Sequence, residues 1–303
     1  MKILVTGATG LIGKPLCRHL LTKGHALHIL TTKNIGQVTQ PNAQVFQWSP
    51  QKNQIDQRAL EGIDAIVNLA GAKINQRWTA KRKASIVKSR TASTKLLFDT
   101  IQNNQQKVHV VNASAIGIYK SDFNHQYTES DKVFSDAFDG MVVRQWEAEA
   151  KQFEKLSCPT TRLRIGLVFA RDGGAFVPLS LPTRWGFGAW FGQGQQWQSW
   201  IHIDDLIGVI DFCLQQQLVG CVNATAPHPV RQKDLIRTIA KVAGAPQFLP
   251  GIPRVLMSLL LGDMHKLVFD SIYAKPQKLL NRNYPFTYTE ITPCVTDLMQ
   301  KHQ

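Results

Sequence analysis

The chain has 303 residues, 44% of them hydrophobic and 18% charged, and a formal charge of +14 at pH 7. Its length exceeds the usual single-domain size, and its composition is that of an ordinary globular protein, which excludes disordered and fibrous classes. No apolar run reaches the ~18 residues of a membrane span, and Met1–Gly7 breaks too early for a signal-peptide core, so a cytoplasmic protein with no membrane partner is expected.

In chain order, residues 2–6 read as a buried strand ending at a glycine turn, and Leu11, Ile12, Leu16, Leu20 and Leu21 follow at helical spacing. Lys23 and Gly24 close that helix, and residues 26–30 read as a second strand, completing a βαβ unit. Further on, 65–69 reads as strand, 79–103 as helix, 108–111 as strand, 142–156 as helix and 163–169 as strand. Short apolar runs separated by helices imply parallel strands with right-handed crossovers, so the fold class is α/β with a Rossmann-type doubly wound parallel sheet. After residue 170 the texture turns to Gly, Pro and Trp, with helices near 204–217, 231–243 and 289–300 and a strand near 221–225. The expected domains are an NAD(P)-binding domain over 1–169 and a smaller α+β substrate-side lobe over 170–303, with the chain free to interleave between them. Trp185, Trp190, Trp197 and Trp200 are expected to line the cleft or pack in the core.

The sharpest signal is Thr6-Gly7-Ala8-Thr9-Gly10-Leu11-Ile12-Gly13, with glycines at three-residue intervals between a strand and a helix. Gly7 permits the tight turn, Gly10 lets backbone approach a pyrophosphate, and Gly13 lets the helix pack closely on the strand. The helix N-terminus then offers free N–H groups and a positive dipole end to phosphates. An NAD site carries Asp or Glu at the end of the second strand to hold the ribose. Here that place reads Thr31, Thr32, Lys33 and Asn34, with no acid to repel a 2′-phosphate and one lysine to pair with it. NADP(H) is therefore the preferred cofactor, with NAD(H) the alternative.

The remaining candidates are weaker. The five cysteines lack metal-ligand spacing and read as inert core thiols; the trio His202, Asp204 and Asp205 reads as helix capping, with an Asp accepting first-turn N–H groups. No metal is expected. Residues 65–98 contain no acid while Lys73, Arg77, Lys81, Arg82, Lys83, Lys88, Arg90 and Lys95 accumulate, either as a solvated helix face or as a rim that draws in an anion. No nucleic-acid motif accompanies them, so nucleic acid is not an expected partner. Glu147 and Arg144 read as an ion-pair set within one helix. The oligomeric state is open.

These residues resemble the extended branch of the short-chain dehydrogenase/reductase superfamily. Asn68-Leu69-Ala70-Gly71-Ala72 is similar to its strand-end motif beneath the adenine, and Gly192–Gln195 through Trp200–Asp205 to the late loop of nucleotide-sugar epimerases and dehydratases. A narrower resemblance is to NAD(P)-dependent epimerase-family proteins with a C-terminal domain of unknown function. It rests on Arg77-Trp78, Ser89-Arg90, Ser114-Ala115-Ile116-Gly117, Trp146-Glu147, Leu163-Arg164, Gly173-Gly174 and Asn223–Pro227. The resemblance implies cofactor contacts at Leu69, Ala70, Gly71 and Arg90 besides those of the turn, and a catalytic place for Ser114. Ser114 either polarises a carbonyl or caps a loop, and Tyr119 on the next loop faces either substrate or core. The superfamily's Tyr-x-x-x-Lys pair is missing, because no tyrosine is followed four residues later by lysine. The reading is an NAD(P)-dependent oxidoreductase or epimerase-like enzyme on a small carbonyl or nucleotide-sugar substrate, or else a non-catalytic NADP(H)-binding regulator.

Overall fold

The structure, a computed structural model, describes residues 1–38 and 42–300. Side-chain alternation in the first strand sets the layers. In β1 (Lys2–Thr6), Ile3 and Val5 pack with Leu16, Cys17 and Leu20 of α1 (Gly13–Thr22), while Leu4 points to the opposite face. The chain continues through β2 (Ala26–Thr31), β3 (Ala43–Ser49), β4 (Gln54–Ile55), β5 (Ala65–Asn68), α2 (Ala80–Asn103), β6 (His109–Ala115), β7 (Gln126–Tyr127), α3 (Phe138–Lys151) and β8 (Thr160–Ile165). There follow β9 (Leu167–Ala170), β10 (Gly173–Gly174), α4 (Phe176–Arg184), β11 (Trp197–Gln198), β12 (Trp200–His202), α5 (Ile203–Gln215), β13 (Gly220–Ala224), β14 (Val230–Arg231) and α6 (Gln232–Ala243). The chain ends with α7 (Arg254–Leu261), α8 (His265–Phe269), β15 (Tyr273–Ala274), α9 (Gln277–Asn281) and α10 (Ile291–Met299).

The main sheet has eight strands in the order β13-β8-β6-β5-β1-β2-β3-β4, parallel throughout except for β4. Strand order reverses at β1, so a crevice opens between the carboxyl ends of β1 and β5, the place where such sheets bind ligands. Helices α1 and α5 cover one face through Leu16, Leu20, Leu206 and Ile210, and α2 covers the other through Leu97 and Ile101, joined by Phe153. This is the expected doubly wound α/β architecture.

Three differences from the sequence reading have local causes. The apolar run 163–169 splits at Gly166, where a Cβ would stand 2.4 Å from the Ser199 carbonyl; β8 stays in the main sheet and β9 pairs with β12. The chain also passes back across residue 169: α5 and β13 return to the main sheet, and Leu279, Tyr284 and Phe286 pack with its core. Residues 301–303 of the anticipated 170–303 lobe lie outside the described residues. Finally, β3, α4 and α7 were not anticipated; α4 carries Pro178 and Pro182, which read as loop, and α7 is apolar nearly all round, which hides its period. Among the described residues no helix is long and apolar enough to cross a membrane.

Candidate functional site

The glycine turn is built as its spacing requires. Gly7 has φ +70°, and a Cβ there would stand 2.8 Å from the Leu69 carbonyl oxygen; a Cβ on Gly13 would stand 2.2 Å from the Gly7 carbonyl oxygen. Neither position admits a side chain. Gly10 N donates to the Gly7 carbonyl at 2.9 Å, and α1 starts at Gly13 without a side-chain cap; Lys14 N donates to the Gly10 carbonyl at 3.1 Å and Pro15 has no N–H, so Gly13 N is the first-turn donor left for a ligand. Thr6 is fully buried: its Oγ1 donates to Asn68 Oδ1 at 2.7 Å and accepts from Leu69 N and Ala70 N at 3.1 Å, tying the ends of β1 and β5 together. Asn68 Nδ2 in turn donates to Asn112 Oδ1 at 2.7 Å, which locks β5 to β6. Leu11 packs over Gly173 and Ile12 stands as the residue before α1.

A cleft of about 440 Å³ opens above this turn. Its walls bring together Gly7 and Thr9, the strand end Thr31-Thr32-Lys33, the segment Ala70-Gly71, and Ser85, Ser89 and Ser93 from one stripe of α2. Trp48 through Gln51, at the end of β3, form a wall that the sequence reading missed. The signal available was the β-prone run Val45-Phe46-Gln47-Trp48 before Pro50. On the other side of the turn, Gly10 and Leu11 line a second cleft of about 400 Å³ with Lys14, Arg18 and Arg171, and Thr9 borders both clefts.

Arg90 of α2 packs behind Gly71 of the cleft wall. Its guanidinium carbon lies 3.3 Å from where a Gly71 Cβ would stand and 5.1 Å from the Trp146 ring centre. Its Nη1 donates only to carbonyls, those of Ala72 (3.2 Å) and Ile86 (3.1 Å). Burial, with the neighbouring Arg82 cation, lowers its pKa to about 10. A half-buried cation held by carbonyls and repelled by a second cation is a place for an anion.

One strand further along, Ser114 and Tyr119 belong to a closed polar network. Ser114 Oγ donates to Glu147 Oε1 at 2.6 Å; Arg164 holds the same carboxylate through Nε (2.8 Å) and Nη2 (2.9 Å), and donates from Nη1 to the Tyr119 hydroxyl at 2.9 Å. That hydroxyl offers its one proton toward Asn223 Oδ1 (2.8 Å) and the Thr128 carbonyl (3.0 Å). All these side chains are buried, and Tyr119 stacks on Tyr127 with ring centres 4.7 Å apart. Burial raises the Tyr119 pKa above its ordinary value. Burial also opposes the Arg164 cation, but the hydrogen bonds and charge of Glu147 outweigh it and raise the guanidinium's pKa. Glu147 therefore pairs across elements with Arg164, whereas Arg144 goes to Asp136 at 3.1 Å, so the anticipated pairing within α3 is corrected. Arg144 stands partly exposed, whereas Glu147 is buried.

The group that sequence reasoning missed is Asp139, in the first turn of α3. It is 5% exposed, its Oδ1 has no hydrogen-bond partner, and its Oδ2 lies 3.2 Å from where a Gly117 Cβ would stand, just past the carboxyl end of β6. Burial raises its pKa. Asp270 faces it from the segment after α8, and burial plus the Asp139 charge push the Asp270 pKa up to about 6, against Ser121, Arg254 and Lys266. An acid in a first helical turn is ordinary helix chemistry, so nothing in the sequence marked it.

His202, not an aspartate, caps α5: its Nδ1 accepts from Asp204 N at 3.1 Å, while Asp205 accepts from Thr287 N and Tyr288 N at 2.9 Å. Among the described residues no group of three His, Cys, Asp or Glu side chains is arranged to hold a metal. Cys17, Cys158, Cys213 and Cys294 are buried and Cys221 is half-buried, and all five are free thiols. Of the tryptophans, Trp200 is fully buried in a core of the smaller lobe and Trp185 is exposed. The basic run is not one solvated face, since Arg90 is half-buried against Gly71 and Trp146 and Lys83 pairs with Asp263 at 2.6 Å.

Comparison with known proteins agrees with this geometry. Residues 3–136 match the model of the NAD dependent epimerase/dehydratase family, and residues 252–298 match a C-terminal domain of unknown function. An epimerase family protein of Staphylococcus saprophyticus is 36% identical over 98% of both chains, and one of Staphylococcus aureus is 34% identical over 98% of this chain and 99% of its own. Among solved structures, the human epimerase family protein crystallised with NADPH superposes with a TM-score of 0.86 at 27% identity, covering 98% of this chain and 99% of that one. A nucleoside-diphosphate sugar epimerase of Corynebacterium glutamicum gives 0.78 at 27% identity, covering 97% of this chain and 57% of its own.

Proposed function

The chain belongs to the epimerase family of NAD-dependent epimerase/dehydratase proteins, and from that premise we propose that it is an NADP(H)-dependent oxidoreductase or epimerase-like enzyme for a small carbonyl or nucleotide-sugar substrate. The observation that carries the cofactor half is the cleft's second-strand end, Thr31-Thr32-Lys33, which has a lysine and no acid, with Arg90, a cation that has no carboxylate partner among the described residues, packed behind Gly71 of the cleft wall. The turn fits the group as well, because Gly7 and Gly13 leave space that a Cβ would fill. NADPH in the human relative supports the same choice. The turn residues Gly7 to Gly13 would hold the pyrophosphate, Leu69, Ala70 and Gly71 would lie along the adenosine side, and Lys33 with Arg90 would meet the additional phosphate. When bound, the nicotinamide supplies hydride chemistry.

In this reading the protein's own part is to hold a carbonyl and move a proton. Ser114 is the polarising group, its hydroxyl turning from Glu147, the acceptor it meets at 2.6 Å and which Arg164 holds in place, to the substrate carbonyl. Tyr119 acts as a positioning residue, since its hydroxyl is committed to Arg164 and Asn223 within the core. Proton transfer falls to Asp139, whose Oδ1 has no hydrogen-bond partner among the described residues and whose pKa is raised by burial. A second reading, the non-catalytic NADP(H)-binding regulator, draws on the same network: Ser114 already donates to Glu147 and Tyr119 is sealed, so neither is free as a donor.

The deciding experiment follows NADPH oxidation against a panel of small carbonyls and nucleotide sugars, for wild type, Asp139→Asn and the Ser114→Ala, Tyr119→Phe double variant. The enzyme reading expects turnover that falls at least about tenfold in the double variant and about 10²-fold in Asp139→Asn, with NADPH affinity unchanged. Tight NADPH binding without turnover on any panel member supports the regulator instead.

A further inference from the structure

Two neighbouring segments of the smaller lobe turn large apolar side chains outward. Trp185 is 75% exposed, Phe187 67%, Phe248 83%, Val255 71% and Leu259 71%. The segments form one surface. Ile252 N donates to the Trp190 carbonyl at 2.7 Å and Gly192 N to the Ile252 carbonyl at 2.8 Å, while a Cβ on Gly186 would lie 3.4 Å from the Pro246 ring. From this seam α7 runs on with Met257 as its buried residue, and Val255, Leu256, Leu259 and Leu260 make an exposed stripe at i, i+1, i+4 and i+5. A contiguous apolar surface of this kind on a soluble chain marks a contact site.

Charge selects the occupant. Residues 181–192 and 244–262 contain Arg184 and Arg254 and no acid, and Lys233 and Arg237 lie 4.8 and 5.9 Å from the Trp190 ring centre. A second copy packed about a two-fold axis would bring these cations against one another, with Asp234, 3.9 Å from Arg237, as the acid of α6 beside them. Apolar side chains flanked by tryptophan and arginine match instead the boundary of a bilayer, where rings sit among headgroups and cations meet lipid phosphate. We propose that this surface docks the protein on an anionic lipid bilayer, with α7 and the Trp185–Phe187 loop in the headgroup layer and Arg184 and Arg254 on its phosphates. The expectation of no membrane partner rested on spanning segments alone, and a surface contact needs none. The proposal is independent of what the cofactor cleft binds.

The test is co-sedimentation of the full chain with phosphatidylglycerol/phosphatidylcholine vesicles and with phosphatidylcholine vesicles, at about 0.1 M and about 1 M salt, where the Debye length falls from ~10 to ~3 Å. Wild type should bind the anionic vesicles at low salt, and bind phosphatidylcholine alone at least tenfold more weakly. Leu259→Glu with Leu260→Glu should lose tenfold or more, and Arg184→Glu with Arg254→Glu a similar factor, given about 1 kcal/mol for each cation near such a surface. Melting temperature and NADPH binding report that each variant is folded, and Trp185→Ser reads the same surface if the α7 pair fails to fold. Three results would each overturn the proposal: wild type that ignores anionic vesicles, variants that bind as wild type does, or a solution dimer dissolved by the α7 variant, which would place a second copy on this face.

Discussion

The dinucleotide cleft and the polar network around Glu147 lie one strand apart and treat their polar groups in opposite ways. At the turn and behind the cleft wall, the Gly13 N–H of α1 and the Arg90 guanidinium have no anion of the protein's own among the described residues. Around Glu147, each carboxylate oxygen meets an arginine nitrogen, and Ser114, Tyr119 and Asn223 close the set. The first region is incomplete without a ligand. The second is complete and holds the end of β6 in place for whatever reacts there. Asp139 stands at the border, buried like the network yet unpaired like the cleft.

The strongest way to break this contrast is to open the network. Arg164→Met leaves Glu147 charged and buried without its partner, which costs about 3–5 kcal/mol, a large part of a domain's stability. Adding Glu147→Leu should restore much of it, because replacing both members of a buried pair is often near neutral. Urea unfolding of the single and double variants measures the difference, and equal stability of wild type and Arg164→Met would deny that the network is structural.

On the open side, Gly10→Glu should fold normally. A Cβ there has only the Gly7 carbonyl at 3.2 Å to accommodate, but the carboxylate would extend into the phosphate space. NADPH affinity should fall at least about 100-fold, or ~2.7 kcal/mol. Fluorescence titration with retained melting temperature checks it; unchanged affinity would move the cofactor off this turn.

The smallest effect concerns the border. Because burial and the Asp139 charge raise the Asp270 pKa from 3.8 to about 6, the folded chain keeps a proton that the unfolded chain has already released. This contribution is fully present below pH 3.8 and is lost as pH rises through about 6. Asp139→Asn removes the repelling charge, so thermal melts between pH 4 and 7 should show a flatter decline than wild type. An unchanged slope would separate the two carboxyls.

The contrast also explains what the sequence could disclose. Gly7, Gly10 and Gly13 stand within seven residues, and their turn is a local matter of backbone space, so the turn and the alternating strands and helices could be read directly. Ser114, Glu147, Arg164 and Asn223 are joined only when β6, α3, β8 and β13 come side by side, and Glu147 looked like the partner of Arg144 because helical neighbours are the contacts that spacing reveals. Asp139 was hidden for the opposite reason, since its meaning lies in a missing partner. The wall Trp48–Gln51 needed β3, whose apolar run Val45–Trp48 is interrupted by Gln47 and gains its place only by pairing with β2.

The central claim is that the acid-free strand end, with Lys33 and Arg90, makes this an NADP(H) site. Calorimetric titration of the full chain with NADPH and with NADH tests it most directly. One additional phosphate contact contributes ~1–2 kcal/mol, so NADPH should bind roughly 5–30-fold more tightly, and the preference should shrink in Arg90→Met and in Lys33→Gln. Equal or tighter binding of NADH by the wild-type protein would contradict the account.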